Sequence, residues 1–269
     1  MKVVAFLPEY SAKQAGILRG FAAGIPGAEA HSLSRYVDCD IAVIFGLVKH
    51  SYPATWAKRE VLARHSGRRL IVIESAFLRR GEYYQIGFGG AAGHADFRNQ
   101  GAPADRWRAL GVNSKPWRRR PDGPVVVCGQ LRRDTQVQDS DHDAWCRRVV
   151  EHYRRRGARV LFRPHPRERE PGSYGVPSHL IDTRPLRDVL AEAQCFVTYN
   201  STAGVDAAIK GVPVVACDAG SMAWPVAAHG LGAPPRFPSR RAWLAGLGYA
   251  QWTLAEMRAG LPWRHLTRP

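Results

Sequence analysis

The chain of 269 residues carries 39 Lys and Arg against 23 Asp and Glu, a formal net charge of +16, and 45% of its residues are hydrophobic. This apolar fraction excludes a disordered protein, and the length suffices for one large domain or two small ones. The charge predicts attraction to polyanions such as nucleic acid, an anionic membrane face or an acidic polysaccharide.

The cysteines predict a reduced protein without a disulfide framework or a zinc site. None of Cys39, Cys128, Cys146, Cys195 and Cys217 belongs to a CxxC pair, and most lie near apolar runs, which is typical of buried thiols. The first residues form too short an apolar stretch for a signal peptide, and no run reaches the roughly 18 apolar residues of a membrane span. We therefore expect a cytoplasmic protein.

The first part of the chain alternates short apolar runs with helical patterns. In order, we predict a strand at 3–7, a helix at 11–23, a strand at 40–45, a helix at 53–65 and a strand at 70–74. This alternation predicts βαβ units with a parallel sheet. The next stretch, 81–101, is rich in glycine and is predicted to be irregular.

The most basic part of the chain, 98–133, follows, and its centre at 115–124 has the Pro and Gly content of a linker between domains. A GC-rich genome would explain the preference for Arg over Lys, but it would not explain the excess of cations over acids. The candidate residues for contact with the acceptor or a polyanion are Lys115, Trp117, Arg118, Arg119 and Arg120.

A second alternating set completes the chain. Strands are predicted at 125–128, 159–162, 196–199 and 213–217, helices at 141–156, 185–193 and 202–210, and a helical, Trp-rich tail from residue 239. The sequence therefore predicts an α/β fold with two Rossmann-like domains, 1–118 and 119–238, whose strand ends face a cleft. The third segment, 239–269, is predicted to pack across both domains.

Two short motifs follow strands of the second set. Arg163-Pro164-His165-Pro166 follows one strand, and Asn200-Ser201-Thr202-Ala203-Gly204 follows the next and opens a helix. Ligands of open α/β sheets bind outside the carboxyl ends of the strands, and the start of a helix favours an anion. We predict that both motifs bind the phosphates of a nucleotide, with Arg163, His165, Pro166, Asn200, Ser201, Thr202 and Gly204 as candidate residues.

Simpler explanations exist for both motifs. Asn200, Ser201 and Thr202 are ordinary helix N-caps, and the two prolines could form a structural turn with an exposed His165.

The loop after the first strand of this half offers further candidates. Gly129, Gln130, Arg132 and Arg133 lie at another strand end, where the arginines could hold donor phosphates. A solvated basic loop is the alternative.

These segments resemble a known group of enzymes. The runs GQLRRDTQVQDSD, VLFRPHPRE and VTYNSTAGVDAAIKGVPVVACDAGS resemble GT-B glycosyltransferases related to capsular-polysaccharide synthesis proteins, and bacterial sialyl- and Kdo-transferases share the His-Pro and Ser/Thr elements. The resemblance is strongest over 125–225. It implies a GT-B-like fold and a nucleotide-sugar donor, linked to UDP or CMP, that acts as a co-substrate with no cofactor and no essential metal.

The resemblance also implies roles for matching residues. His165 and Pro166 would contact the phosphate or ribose of the donor nucleotide, and Ser201 and Thr202 would hold phosphate oxygens. Gly129 and Gln130 match the loop after the first strand of the nucleotide-binding half.

An inverting transferase also needs a base for the acceptor hydroxyl, usually Asp or Glu. The first half offers Asp96, in a loop of small residues, with Glu9 and Glu74 at strand ends as alternatives. A retaining enzyme would not need this base.

We predict a nucleotide-sugar-dependent glycosyltransferase with DNA as its first candidate acceptor, and four functions are weighed at this stage. The charge and the basic stretch favour a DNA-modifying enzyme, encoded by a phage and acting on hydroxymethylpyrimidines in the host cytoplasm. The resemblance favours transfer to capsule or lipopolysaccharide. A non-catalytic nucleic-acid-binding protein is a further alternative, and a nucleotide-sugar epimerase is a fourth.

Overall fold

The computed structural model describes residues 1–47 and 56–268. By its internal contacts the chain divides into two compact units, the first formed by residues 1–111 with the tail from Arg241, and the second by Val112–Arg240. Each unit contains its own sheet.

The strands are, in chain order, β1 (Val3–Leu7), β2 (Glu29–Ser32), β3 (Ile41–Phe45), β4 (Leu70–Ser75), β5 (Tyr83–Phe88), β6 (Val125–Cys128), β7 (Val160–Arg163), β8 (Cys195–Thr198), β9 (Val214–Ala216), β10 (Ala228–His229) and β11 (Gln251–Thr253). The α-helices are α1 (Ala12–Ala23), α2 (Trp56–Arg64), α3 (Asp105–Ala109), α4 (His142–Arg154), α5 (Leu186–Glu192), α6 (Ala203–Ile209), α7 (Arg241–Tyr249), α8 (Leu254–Arg258) and α9 (Leu261–Leu266).

The sheet of the first unit has the order β11-β5-β4-β3-β1-β2 over the described residues. Strands β1 to β4 are parallel, whereas β5 is antiparallel to β4 and β11 is antiparallel to β5. The central strands β1 and β3 are buried along their whole length, as expected of parallel strands that are covered on both faces.

The sheet of the second unit is parallel throughout its described strands, in the order β10-β9-β8-β6-β7. Cys128 at the end of β6 lies opposite Arg163 on one side and Thr198 on the other. The carboxyl ends of three strands therefore meet at one edge of this sheet.

The alternating strands and helices that the sequence predicts are confirmed, with boundaries that shift by a few residues. Of the helix predicted at 53–65, residues 53–55 lie outside the described residues, and α2 covers most of the remainder. The prediction of an irregular segment at 81–101 was wrong in part, because 83–88 forms β5. Strands β2, β10 and β11 were missed because they are short edge strands, and β2 is polar and exposed.

Strand β5 also explains one glycine of the segment. A Cβ at Gly87 would lie 2.9 Å from side-chain atoms of Ala95 and Phe97. The small residues of this segment therefore serve close packing of a returning loop against the strand.

The segment with linker composition is bound closely to the second unit. Lys115 N donates to Ile209 O at 2.8 Å, and Arg118 N donates to Gly211 O at 2.7 Å. A Cβ at Gly211, which has a φ of +79°, would lie 2.0 Å from Pro116 O. Glycine is required there by both the backbone conformation and the contact.

The Trp-rich tail is helical as predicted and belongs to the first unit from Arg241 onwards. It adds β11 to the sheet, and α8 begins with a capping box in which Thr253 and Glu256 bind each other's backbone amides. Arg106 joins the tail to α3 through an ion pair with Glu256 at 2.5 Å, and its guanidinium carbon lies 3.8 Å from the ring centre of Trp252.

In the described parts of the chain, none of the helices combines the length and the apolar character that crossing a bilayer requires.

Candidate functional site

The candidate site of the second unit lies at the carboxyl ends of its parallel strands. From β6 the chain crosses to the neighbouring edge strand β7 and then returns to β8 on the other side of β6. The direction of strand addition reverses between β6 and β8, which is where open α/β sheets bind ligands.

Gln130 and Asn200 connect the two loops at this point. Gln130 Nε2 donates to Asn200 Oδ1 at 2.9 Å, and Asn200 N donates to Gln130 Oε1 at 3.1 Å. Both residues are buried, so the two bonds are shielded from water and hold the loops after β6 and β8 together.

The remaining hydrogens of the Asn200 amide are also used. Asn200 Nδ2 donates to Gln136 O at 3.0 Å and to Asp218 Oδ1 at 2.8 Å, in the loop after β9. With its oxygen and both its hydrogens engaged, Asn200 fixes three loops of the protein. Asn200 and Gln130 therefore hold the loops of the candidate site in place.

Two buried aromatic residues, which the sequence did not reveal as part of the site, hold the backbone of Gln130. Gln130 N donates to His142 Nε2 at 2.9 Å, and Tyr174 OH donates to Gln130 O at 2.8 Å. Burial lowers the pKa of His142 to about 4, so its ring is neutral near pH 7 and accepts this hydrogen bond. His142 is the first residue of α4, and its location gives no signal in the sequence because it depends on the tertiary fold.

Ser201 and Thr202 lie on the carboxyl edge, between the end of β8 and the start of α6. Ser201 N donates to Thr198 Oγ1 at 2.9 Å, and Ser201 Oγ accepts from Ala203 N at 3.2 Å. The Ser201 hydroxyl thus accepts from the first amide of α6, and it also forms a hydrogen bond with the neighbouring Cys128 thiol. Both hydroxyl residues are partly exposed.

Gly129, in the loop after β6, and Gly204, in the first turn of α6, have packing explanations. A Cβ at Gly129 would lie 2.8 Å from Phe162 Cζ and 3.2 Å from Tyr174, and a Cβ at Gly204 would lie 3.3 Å from Thr198 Cγ2. Both positions are therefore small because side chains of the protein occupy the neighbouring space.

His165 lies in the loop after β7 and is half-buried. Its Nδ1 accepts from Arg167 N at 3.1 Å, and its carbonyl accepts from Glu168 N at 2.8 Å. Burial, with the nearby positive charge of Arg167, lowers the pKa of His165. Because Nδ1 accepts, the neutral ring carries its proton on Nε2 and can donate it to a ligand. Pro166 is exposed beside it.

The two arginines of the loop after β6 differ in their contacts and exposure. Arg132 forms an ion pair with Asp143 at 2.7 Å and lies with its guanidinium carbon 4.8 Å from the ring centre of Tyr174. It also lies 3.6 Å from Glu168, so it serves the structure of the site. Arg133 is exposed on the same loop.

The two predicted motifs share one edge of the sheet. His165 and Ser201 follow strands that flank β6, and the spacing of two strand pairs places those strands roughly 10 Å apart. Cys128 ends the strand between them and is fully buried, and burial raises the pKa of its thiol to about 11. The thiol is therefore protonated near neutral pH.

In the first unit, two of the three carboxylates predicted as a base lie at the carboxyl edge. Glu9 follows β1 and accepts a hydrogen bond from Ser32 Oγ at 2.5 Å. Hydrogen bonds from Ser32 and Ser34 lower the pKa of Glu9, so its exposed carboxylate is ionised at neutral pH. Glu74 is the second-last residue of β4 and lies beside Gly46, where a Cβ would lie 2.9 Å from Glu74 Oε2.

Lys58 is a buried cation at this edge that the sequence analysis did not identify. Its Nζ donates to Phe45 O at 2.7 Å and to Tyr10 OH at 3.4 Å. Phe45 ends β3 and Tyr10 follows β1, so Lys58 joins the carboxyl ends of two parallel strands. A single lysine within α2 gives no signal in the sequence for such a position.

Asp96 lies at the opposite edge of that sheet. It exchanges backbone hydrogen bonds with Phe88, whose partner in β4 is Ile71, near the start of that strand. Asp96 Oδ2 lies 3.8 Å from Arg68 Nε, and Oδ1 accepts from Arg98 N. The structure therefore does not bring Asp96 together with Glu9 and Glu74.

The basic segment 115–120 lies at the amino edge of the second sheet, away from the edge that carries His165 and Ser201. It is bound to the end of α6, which leads into β9. Trp117 Nε1 donates to Pro238 O, and the guanidinium carbon of Arg240 lies 4.0 Å from the ring centre of Trp117.

Among the solved structures that resemble this chain, two match it over most of its length. One is described as Thermosulfurimonas dismutans KpsC, beta Kdo 2,7 transferase, with a TM-score of 0.57 and 12% identity over 97% of this chain and 98% of that one. The other is described as Thermosulfurimonas dismutans KpsC, beta Kdo 2,4 transferase, with a TM-score of 0.58 and 15% identity over 92% and 89%. No protein-family model matches the sequence, and no curated protein matches it.

These likenesses establish the fold class. The chain has the GT-B fold, with a Rossmann-like sheet in each of its two units, and the sequence prediction of that fold is confirmed. The KpsC Kdo transferases are among its structural neighbours, and the sequence motifs had pointed to Kdo-transferase-like proteins.

Proposed function

We propose that the protein is a glycosyltransferase that moves a sugar from a nucleotide-sugar donor to a hydroxyl acceptor. The observation that carries this proposal is the rigid edge of the second sheet, where the bonds between Gln130 and Asn200 fix the loops beside Ser201 and His165. The neighbours with the same fold, described as beta Kdo transferases, support it by analogy.

The chemistry of this edge suits a phosphate leaving group. Glycosyl transfer requires stabilisation of the negative charge that develops on the departing nucleotide. We assign donor hydrogen bonds to Ser201 Oγ, Thr202 Oγ1 and His165 Nε2, with Arg163 and Arg133 as sources of positive charge. These groups supply hydroxyl, imidazole and guanidinium donors, and the proposed donor is linked to UDP or CMP.

A thermal-shift assay with UDP- and CMP-sugars tests the donor site. A ligand at 100 times its Kd stabilises the folded state by about 2.7 kcal/mol through mass action. The variants Ser201→Ala and His165→Ala should lose most of this ligand-dependent shift while keeping the melting temperature of the free protein within a few degrees. No shift with any nucleotide sugar or nucleotide would reject the proposal.

We propose the base for an inverting reaction from the positions of the three candidate carboxylates in the first sheet. Glu9 and Glu74 lie at the carboxyl edge of the first sheet, and Glu9 is held ionised by two serines. Asp96 is at the opposite edge, which favours the two glutamates as the group that removes the proton of the acceptor hydroxyl.

We propose DNA that contains hydroxymethylpyrimidines as the acceptor. The net charge of +16 supports this proposal, since the phosphate backbone dominates the affinity of proteins for DNA. Enzymes that modify a base within a duplex flip it out of the stack. Incubation with a labelled nucleotide sugar and hydroxymethylated duplex should label the DNA, whereas the unmodified duplex of the same sequence should remain unlabelled.

Capsule or lipopolysaccharide glycan is the alternative acceptor, and the fold neighbours favour it. The same labelled donor should then modify an oligosaccharide acceptor while both duplexes remain unlabelled. This outcome would keep the transferase proposal and replace its acceptor.

A non-catalytic nucleic-acid-binding protein is the remaining alternative, since the charge alone favours it. It predicts DNA binding without stabilisation by nucleotide sugars and without slow hydrolysis of the donor. Donor hydrolysis that Ser201→Ala abolishes would exclude it.

A further inference from the structure

A cavity of about 560 Å³ lies on the second unit, outside the candidate donor site. Its lining combines four cationic residues with an apolar floor. The lining residues are Lys115, Pro116, Trp117, Arg118, Arg187, Leu190, Ala191 and Lys210.

The cavity lies at the amino edge of the parallel sheet. Leu190 and Ala191 belong to α5, which leads into β8, and Lys210 is the C-cap of α6, which leads into β9. His165 and Ser201 are in loops that leave the strands, so they lie at the other edge. A ligand in this cavity would therefore occupy a site distinct from the proposed donor site.

The charges of the lining have one sign. Lys115 and Lys210 are exposed, and Arg187 is exposed beside Asp188, whose Oδ1 lies 3.3 Å away. The lining itself contains no acidic residue. Cations gathered around one opening repel one another, which suits a ligand of high negative charge density.

Arg118 provides a fixed charge inside this group. Its terminal nitrogens donate to Leu190 O at 2.6 Å and to Ala191 O at 3.2 Å, at the end of α5. Its Nε is buried and has no hydrogen-bond partner among the described residues. The helix carbonyls hold the Arg118 guanidinium in place. The exposed side chains of Lys115, Lys210 and Arg187 would therefore make the adjustable contacts to a ligand.

The aromatic residue of the cavity is already in contact with two side chains of the protein. The ring of Trp117 has the guanidinium of Arg240 over it at 4.0 Å and the edge of Phe237 at 6.3 Å between ring centres. Single-stranded nucleic acid is bound mainly by stacking on free aromatic rings. A ligand here would be held by its charge, without reading of bases.

We propose that this cavity docks the phosphodiester backbone of duplex DNA. The exposed Arg119 and Arg120 continue the positive charge from Lys115 and Arg118 along the surface, which fits a linear polyanion that extends beyond the cavity. Duplex DNA carries one negative charge per roughly 1.7 Å of its axis, and it is bound through phosphates without sequence preference by clustered Lys and Arg.

A polymer docked at this edge would leave the proposed donor site open. A tethered acceptor gains effective concentration at the second site, so its KM falls without any new contact at the reacting hydroxyl. This consequence rests on the proposed function, whereas DNA binding by the cavity does not depend on it.

The test uses the full chain and a short fluorescently labelled duplex, with binding followed by anisotropy from about 50 to 200 mM salt. The double substitution Lys115→Glu with Lys210→Glu should raise the Kd at least ~10-fold at low salt, and it should reduce the slope of log K against log salt by about 2. The control, Lys13→Glu with Arg19→Glu, changes the net charge equally at two exposed residues of α1 and should change the Kd less than ~3-fold. Donor hydrolysis should be unchanged in both variants.

Three results would overturn the proposal. The first is the absence of duplex binding by the unmodified protein, and the second is an equal loss of binding in the cavity and control variants. The third is tighter binding to a sulfated glycan or to anionic phosphatidylglycerol vesicles than to DNA, compared at equal concentrations of negative charge. The neutral pair Lys115→Gln with Lys210→Gln should weaken binding by a smaller factor in the same direction, which preserves the test if charge reversal impairs folding. Loss of DNA binding with donor hydrolysis retained would support docking, even if DNA proves not to be the acceptor.

Discussion

The side-chain amide of Asn200 donates a hydrogen bond to Asp218 Oδ1 at 2.8 Å, and this bond connects the loop after β8 to the loop after β9. Asp218 Oδ1 also accepts from Gly220 N at 3.0 Å, so it organises its own loop as well. Together with the bonds to Gln130, the amide fixes three neighbouring loops on the proposed donor edge. Asn200 and the adjacent Ser201 should therefore differ in their effects on stability and on donor binding.

Asn200→Ala should destabilise the protein by about 2–3 kcal/mol, because Gln130 and Asp218 would lose partners within a mostly buried network. Ser201→Ala should cost only about 0.5–1 kcal/mol, the usual effect of losing one hydrogen bond, but it should remove most of the donor-induced thermal shift. Urea unfolding gives the stabilities, and the thermal-shift assay gives donor binding. Equal losses of stability in the two variants would contradict these separate roles.

The alternation of elements was predictable because apolar strands and helical spacing recur in the sequence from residues 3–7 to 213–217. The edge strands were not, because a short strand such as β2 is polar and is defined by its pairing with β1. The glycine-rich segment misled the prediction for a related reason, since Gly87 serves close packing within β5.

The candidate site was predictable only at the level of loops. The strand ends placed His165 and Ser201 at one edge, but the separation of Asp96 from Glu9 depends on the antiparallel direction of β5, which the sequence does not encode locally. The support of Gln130 by His142 likewise results from tertiary packing.

Acid should destabilise the protein partly through His142. Its pKa is about 4 in the folded protein, against about 6.5 in an unfolded chain. Between these values the unfolded state binds more protons, so stability rises with pH and is lost as the pH falls from 6.5 towards 4. The loss is about 1.4 kcal/mol per pH unit across this window.

The variant His142→Gln isolates this contribution, because a glutamine oxygen can accept from Gln130 N without titrating. Urea unfolding at several pH values between 4 and 7 should give a shallower slope in this variant than in the original protein. Equal slopes of stability against pH in the two proteins would show that His142 does not cause the pH dependence of stability. Other buried histidines, such as His65 and His265, would then be its source.

Two glycine substitutions should have opposite effects on stability. Gly211→Ala should destabilise by more than ~2 kcal/mol, because its φ is +79° and the new Cβ would lie 2.0 Å from Pro116 O. Gly16→Ala should stabilise by about 0.5–1 kcal/mol, because Gly16 lies inside α1 with no other atom within 4 Å of the new Cβ. Melting temperatures that change in the same direction would contradict this account of the linker-like segment.

The position of the catalytic base gives the last prediction. If the acceptor binds at the carboxyl edge of the first sheet, Glu9→Gln or Glu74→Gln should lower the rate of sugar transfer by about 10²–10⁴-fold, the usual contribution of a general base. Asp96→Asn should leave the rate within ~3-fold of the original, because Asp96 lies at the opposite edge of that sheet and contacts Arg68. Each variant retains the size of its side chain, so the donor-induced thermal shift should persist in all three and exclude misfolding. A large loss confined to Asp96→Asn would move the acceptor to the amino edge of the sheet, whereas normal transfer in all three variants would favour a retaining mechanism that needs no such base.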